Sequence, residues 1–126
     1  MTKKNLVHVI LESFLDWTKE VVSDYKFHES EQRGQEDLQQ DLLHKAELEK
    51  LTQGEKAKLA TALSKCRRER RKHKDACEEL EPIYKWLSDE KNKRCINSLK
   101  EVLGQMRAAE RRHNNPRHYN NRVLKE

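Results

Sequence analysis

Residues 59–87 read LATALSKCRRERRKHKDACEELEPIYKWL. Within them Leu59, Leu63, Cys66, Arg70, His73, Cys77, Leu80, Tyr84 and Leu87 recur at alternating intervals of four and three. That period puts all nine on one face of an α-helix, in the pattern of a coiled-coil seam, so a partner helix must lie along them. Read as one helix, residues 53–80 extend for about 42 Å at 1.5 Å per residue. Pro82 lacks a backbone N–H and disfavours helix in Glu81, which predicts a break or kink there and a fresh start at Ile83–Leu87.

Beyond this run, Ser88-Asp89 has the chemistry of a helix cap. The following helix is expected from about Glu90 to His113, with the stripe Cys95, Leu99, Val102, Met106 and Ala109 and with Ile96 and Leu103 beside it. Short connections make sequential helices antiparallel neighbours. The expectation is therefore a C-terminal hairpin, 55–80 against 90–112, in which Arg107 lies opposite His73. Asn114-Asn115-Pro116 stops the last helix. A basic tail follows, with Tyr119, Val123 and Leu124 as candidate anchors.

Towards the N-terminus, Val7, Ile10, Phe14, Trp17 and Val21 mark an amphipathic helix from about Lys3 to Tyr25, widened by Leu6, Leu11, Leu15 and Val22. A stripe this wide must be covered by the later helices or by a second subunit, which makes a homodimer the expectation. The polar stretch Lys26 to Gln35, with Gly34, reads as a connection, and a thinner helix spans Glu36 to Leu51. Thr52-Gln53-Gly54-Glu55 has the spacing of a capping box. It either starts a new helix or lightly interrupts a long one.

The 126 residues are 34% apolar and 39% charged, against about 45–50% and about 25% in ordinary globular domains. Such an excess of surface over core suits elongated helices, where a contact needs only a narrow stripe. Three glycines and two prolines are too few for a turn-rich β chain. The fold class is all-α. The net charge of +5 hides a split. Residues 1–52 hold 7 Lys/Arg and 11 Asp/Glu, so the rest carries the positive excess. The chain accordingly divides into an acidic helical arm (1–52), a basic helical hairpin (53–113) and a basic tail (114–126).

Cys66, Cys77 and Cys95 are an odd number in a chain whose opening shows no secretory signal, so reduced thiols in a cytoplasm are expected. No apolar stretch approaches the roughly 20 residues that span a bilayer.

Between Lys65 and Lys74 stand seven cations and one anion. Local pairing with Glu69 cannot neutralise them, and an external anionic surface is the better account. The candidate partner-binding residues are Lys65, Arg67, Arg68, Arg70, Arg71, Lys72 and Lys74, joined by Arg107, Arg111 and Arg112 through the hairpin and by Arg117 and Tyr119 in the tail. Arg70 and His73 occupy seam positions where leucine is the ordinary choice. They form either a polar layer that fixes register or a surface facing a ligand. Cys66 lies two turns from His73, too far to share an ion with it, and paired-cysteine zinc spacing is absent. No metal or other cofactor is expected. Cys95, His113 and Asp89 belong to no strained turn or glycine loop that would organise catalysis, and Gly104 stands alone. The sequence reads as a non-enzyme. Arginines of the run and tail suit phosphate neutralisation, and Tyr119 suits base stacking. No base-reading motif accompanies them.

The segments Glu69-Arg70-Arg71, Lys74-Asp75, Leu80-Glu81-Pro82-Ile83, Leu103-Gly104-Gln105-Met106-Arg107, Arg117-His118-Tyr119 and Arg122-Val123-Leu124 resemble small helical proteins encoded by bacteriophages and prophages of Gram-positive bacteria. The resemblance implies a setting in which a protein without catalytic groups occupies the functional surface of a host protein, as anti-CRISPR inhibitors do. It points to an inhibitor of a bacterial defence protein such as a CRISPR nuclease. A nucleic-acid-binding accessory protein with little sequence preference and a structural homodimer are the alternatives.

Overall fold

The structure, a computed structural model, describes residues 3–115 and Val123, with side chains from Leu6 onward. It contains three helices, α1 Lys3–Leu48, α2 Gln53–Ser88 and α3 Glu90–Asn114, and no strand among the described residues. The all-α class is borne out.

Helix α1 is one element of 46 residues, about 69 Å long at 1.5 Å per residue. It runs straight through Lys26–Gln35, where a connection was expected. Glu29, Glu31, Gln32, Arg33 and Gln35 are good helix formers, Arg33 pairs with Glu29 one turn back at 3.3 Å, and Gln32 donates to Glu36 at 3.2 Å. Gly34 lies in this helix in open space and lowers its stability without ending it.

After a short connection, Thr52 caps α2 as its spacing predicts, its Oγ1 accepting from Glu55 N–H at 3.2 Å. Helix α2 then continues to Ser88 through Pro82, so the break expected at Glu81–Pro82 does not occur. Pro82 sits on an exposed face, where solvent can satisfy the carbonyl four residues earlier that loses its partner. The break falls at Asp89 instead. Its backbone is extended (φ −66°, ψ 132°) and its side chain accepts from Lys91 N–H at 2.9 Å. Ser88 Oγ donates to Tyr84 O at 2.8 Å and Asn92 Nδ2 to Trp86 O at 2.9 Å, so both helix ends at this one-residue joint are satisfied. The last helix matches its predicted span closely.

The seam of α2 finds its partner in α1. All nine of its residues are buried or half-buried. Tyr25 stacks on Tyr84 with centroids 4.0 Å apart, His28 meets His73, and the Gln35 carbonyl accepts from Cys66 Sγ at 3.0 Å. Partners on α2 come earlier as those on α1 come later, so the pair is antiparallel. Helix α3 continues in the direction of α2 and also packs on α1, with His8 beside Glu110 and Glu12 beside Arg107. The expected hairpin of 55–80 against 90–112 is therefore replaced. Both segments lie end to end along α1, because the Asp89 joint turns the chain by too little to reverse it. The core of Leu15, Val21, Leu87, Ile96 and Leu103, flanked by Leu11, Val22, Leu80, Ile83 and Leu99, sits where the three helices meet.

Candidate partner-binding surface

The 4–3 spacing that turns Cys66, Arg70 and His73 towards α1 turns the residues between them outward. Lys65, Arg67, Arg68, Arg71 and Lys72 are exposed along α2. Arg71 pairs with Asp75 on the same helix at 3.1 Å, both well exposed, a contact of small energetic weight. Among the described residues Lys65, Arg67, Arg68 and Lys72 have no ion-pair partner. Ala60, Leu63, Ser64, Arg67, Arg68 and Arg71 line an open groove along one side of α2, so three arginines stand beside two apolar residues there.

The remaining cations of the run, Arg70 and Lys74, are half-buried, and Arg70 is turned towards α1. Arg70 Nε contacts Glu36 Oε1 on α1 at 3.3 Å. Glu36 also accepts from Gln32, and these hydrogen bonds, Gln32 first and Arg70 next, with the nearby charges of Arg70 and Lys74, hold its carboxyl below the usual range. His73 is buried and its Nδ1 lies 2.9 Å from Nδ1 of His28. Cys66, Arg70 and His73 thus form a polar layer with Gln35, Glu36 and His28, the first of the two readings of these seam positions. Sequence reasoning missed the α1 half of this layer because His28 and Gln35 lie in the stretch read as a connection and Glu36 at the start of what was read as a separate helix.

Arg107 departs from its expected place. It donates through Nε to His8 Nε2 at 3.1 Å and through Nη2 to Glu12 Oε1 at 2.9 Å, while His8 Nδ1 lies 2.9 Å from Glu110 Oε2. A neutral His8 carrying its proton on Nδ1 satisfies both contacts at once. The network fastens α3 to the start of α1. It lies about 24 Å along α1 from the His28–His73 level, counted from Glu12 at 1.5 Å per residue. Arg107 is therefore not part of the surface around Arg67. Arg111 and Arg112, in the last turn of α3, share that distant end. Arg117 and Tyr119 lie outside the described residues.

Cys77 is half-buried, and desolvation with the charges of Glu29 and Glu81 raises its thiol above the usual range, which suppresses thiolate chemistry. Among the described residues no three His, Cys, Asp or Glu side chains gather as a metal site, and no helix is long and apolar enough to cross a membrane.

No family model matches the chain, and neither a curated protein nor a solved structure matches it.

Proposed function

We propose that the protein is a non-enzymatic binding protein that lays the exposed cationic face of α2 on an anionic surface of a macromolecular partner. The observation that carries this reading is the sorting of charge on one helix. Arg70 and His73 are used internally, whereas Lys65, Arg67, Arg68 and Lys72 face solvent with no acid among the described residues to neutralise them. Maintaining four unpaired cations within eight residues costs stability through like-charge repulsion. An anionic partner removes that cost. The antiparallel seam between α1 and α2, coiled-coil-like in its spacing, supplies the rigid support such a face needs.

In the setting implied by the resemblance to small phage proteins, the partner is an acidic surface of a bacterial host protein, a defence nuclease such as a CRISPR effector being the kind of target. Binding there inhibits by occupying the functional surface. The test is capture from a bacterial host lysate treated with nuclease, comparing the wild-type chain with Arg67→Glu/Arg71→Glu. Both positions are exposed, so helix content stays unchanged while a nuclease-resistant protein partner is lost. Retention of the same partner by the double variant removes this face from the interaction. Capture that disappears on nuclease treatment favours nucleic acid. In that case Arg67→Ala and Arg68→Ala each lower the salt slope of affinity by roughly one, as counterion release requires.

A further inference from the structure

Helix α1 carries one continuous seam of which only part is covered. From His28, which contacts α2, the 3–4 progression runs back through Tyr25, Val21, Trp17, Phe14, Ile10 and Val7. Tyr25 is stacked on Tyr84 and Val21 is only 4% exposed, but Trp17, Phe14, Ile10 and Val7 are 45%, 39%, 59% and 56% exposed. The change follows from the Asp89 joint. Beyond it the second strand of the pair is α3, and α3 packs on the neighbouring side of α1, at Leu11, Leu15 and Val22. The original seam is left bare where α2 stops following it.

At 100° per residue, the flanks of the α1–α3 pair can be assigned. The Glu12–Arg107 ion pair marks one flank of the contact. Ile10, Phe14 and Trp17 on α1 and Cys95, Val102 and Ala109 on α3 fall on the opposite flank. Val102 is 40% exposed, Cys95 is exposed, and the Phe14 and Trp17 rings lie 6.1 Å apart. The outer edge of this flank carries Glu20 and Asp24 on α1 and Arg94 on α3. The register that sets Glu12 beside Arg107 sets Asp24 level with Arg94.

We propose that this flank is a homodimer interface in which two copies pair about a two-fold axis parallel to the helices. Each α1 then lies over the α3 of the other copy. Two α1 and two α3 segments form a four-helix bundle in which every neighbour is antiparallel. The surface is self-complementary in both senses a two-fold contact requires. Apolar residues meet apolar residues, and the acidic edge of each α1, through Asp24, meets the basic edge of the other copy's α3, through Arg94. The exposed seam continues the α1–α2 interface of the same helix, so the second copy completes a packing that the chain begins alone. The two α1–α2 arms then project side by side from one end of the bundle. The pairing is independent of the reading of the basic run.

Sedimentation equilibrium of the full chain at tens of micromolar tests the pairing. The wild type runs as a dimer. Ile10→Glu, on an exposed position outside the core, raises the dissociation constant at least tenfold with unchanged far-UV circular dichroism. Asp24→Arg weakens the dimer and Asp24→Arg/Arg94→Asp restores it. A wild-type monomer, a larger oligomer, or a dimer indifferent to Ile10→Glu overturns the interface. A charge swap that fails to restore association overturns the two-fold arrangement.

Discussion

His28 on α1 and His73 on α2 meet nitrogen to nitrogen, with 2.9 Å between their Nδ1 atoms, and the Phe27 ring stands steeply inclined to both, 68° to His28 and 81° to His73. One ring must donate and the other accept, so each sets the tautomer of its partner. The pair lies in the same polar layer as Arg70–Glu36 and Cys66–Gln35. A layer of this kind admits one alignment of the helices and penalises a slipped one.

Replacing His73 with leucine leaves His28 half-buried without its partner, at a cost of about 1–3 kcal/mol. His28→Leu/His73→Leu recovers part of that loss because no polar atom is stranded. Urea unfolding of the two single variants and the double variant gives the coupling directly. Additive losses contradict a direct contact.

Gly34 is mid-helix, and a methyl group there meets nothing within 4 Å. Gly34→Ala raises stability by about 0.4–1 kcal/mol, largely by restricting the unfolded chain. A drop in the thermal midpoint would place residue 34 in a turn, contrary to the continuity of α1.

Asp89→Ala removes the side-chain acceptor of Lys91 N–H and costs about 1 kcal/mol. The loss registers as faster hydrogen exchange at the first turn of α3. Exchange in the middle of α2 stays as in the wild type.

Thiol labelling orders the cysteines. In the monomeric chain, populated through Ile10→Glu, Cys95 is exposed and reacts first. Cys77 follows slowly, half-buried and with its thiol pushed up by desolvation, Glu29 and Glu81. Cys66, 2% exposed, waits for opening of the α1–α2 pair. Equal rates for Cys66 and Cys95 in the native protein contradict this packing.

The depressed Glu36 carboxyl makes the α1–α2 contact acid-sensitive. Its folded value lies below the unfolded one, so its contribution is complete above the unfolded carboxylate value and disappears as pH falls through the folded value. Glu36 and Arg70 are both partly exposed, which limits the effect to less than about 1 kcal/mol. Glu36→Gln removes this component from the acid limb of a stability–pH curve. An unchanged limb excludes Glu36 as a contributor.

The helical class, the seam from Leu59 to Leu87, the Thr52 cap, the Asp89 cap and the span of α3 were all legible in the sequence, because periodicity and capping depend on residues within a few positions of one another. The exposed cations of α2 were legible for the same reason, since seam positions define which side chains point outward. Which helix covers the seam was not. A 3–4 pattern specifies a face but not its partner, and α1 proved to be the partner through contacts 31 to 59 residues distant in sequence. The continuity of α1 was hidden because Lys26–Gln35 lacks an apolar stripe and is held through rings, amides and ion pairs. Arg107 was misplaced because its position depends on whether Asp89 reverses the chain or only offsets it. That outcome rests on how the Leu15–Leu103 core packs, a tertiary property no local spacing encodes. The same offset leaves Ile10, Phe14 and Trp17 uncovered, so the sequence supplied the apolar face and the tertiary structure decided that it points outward.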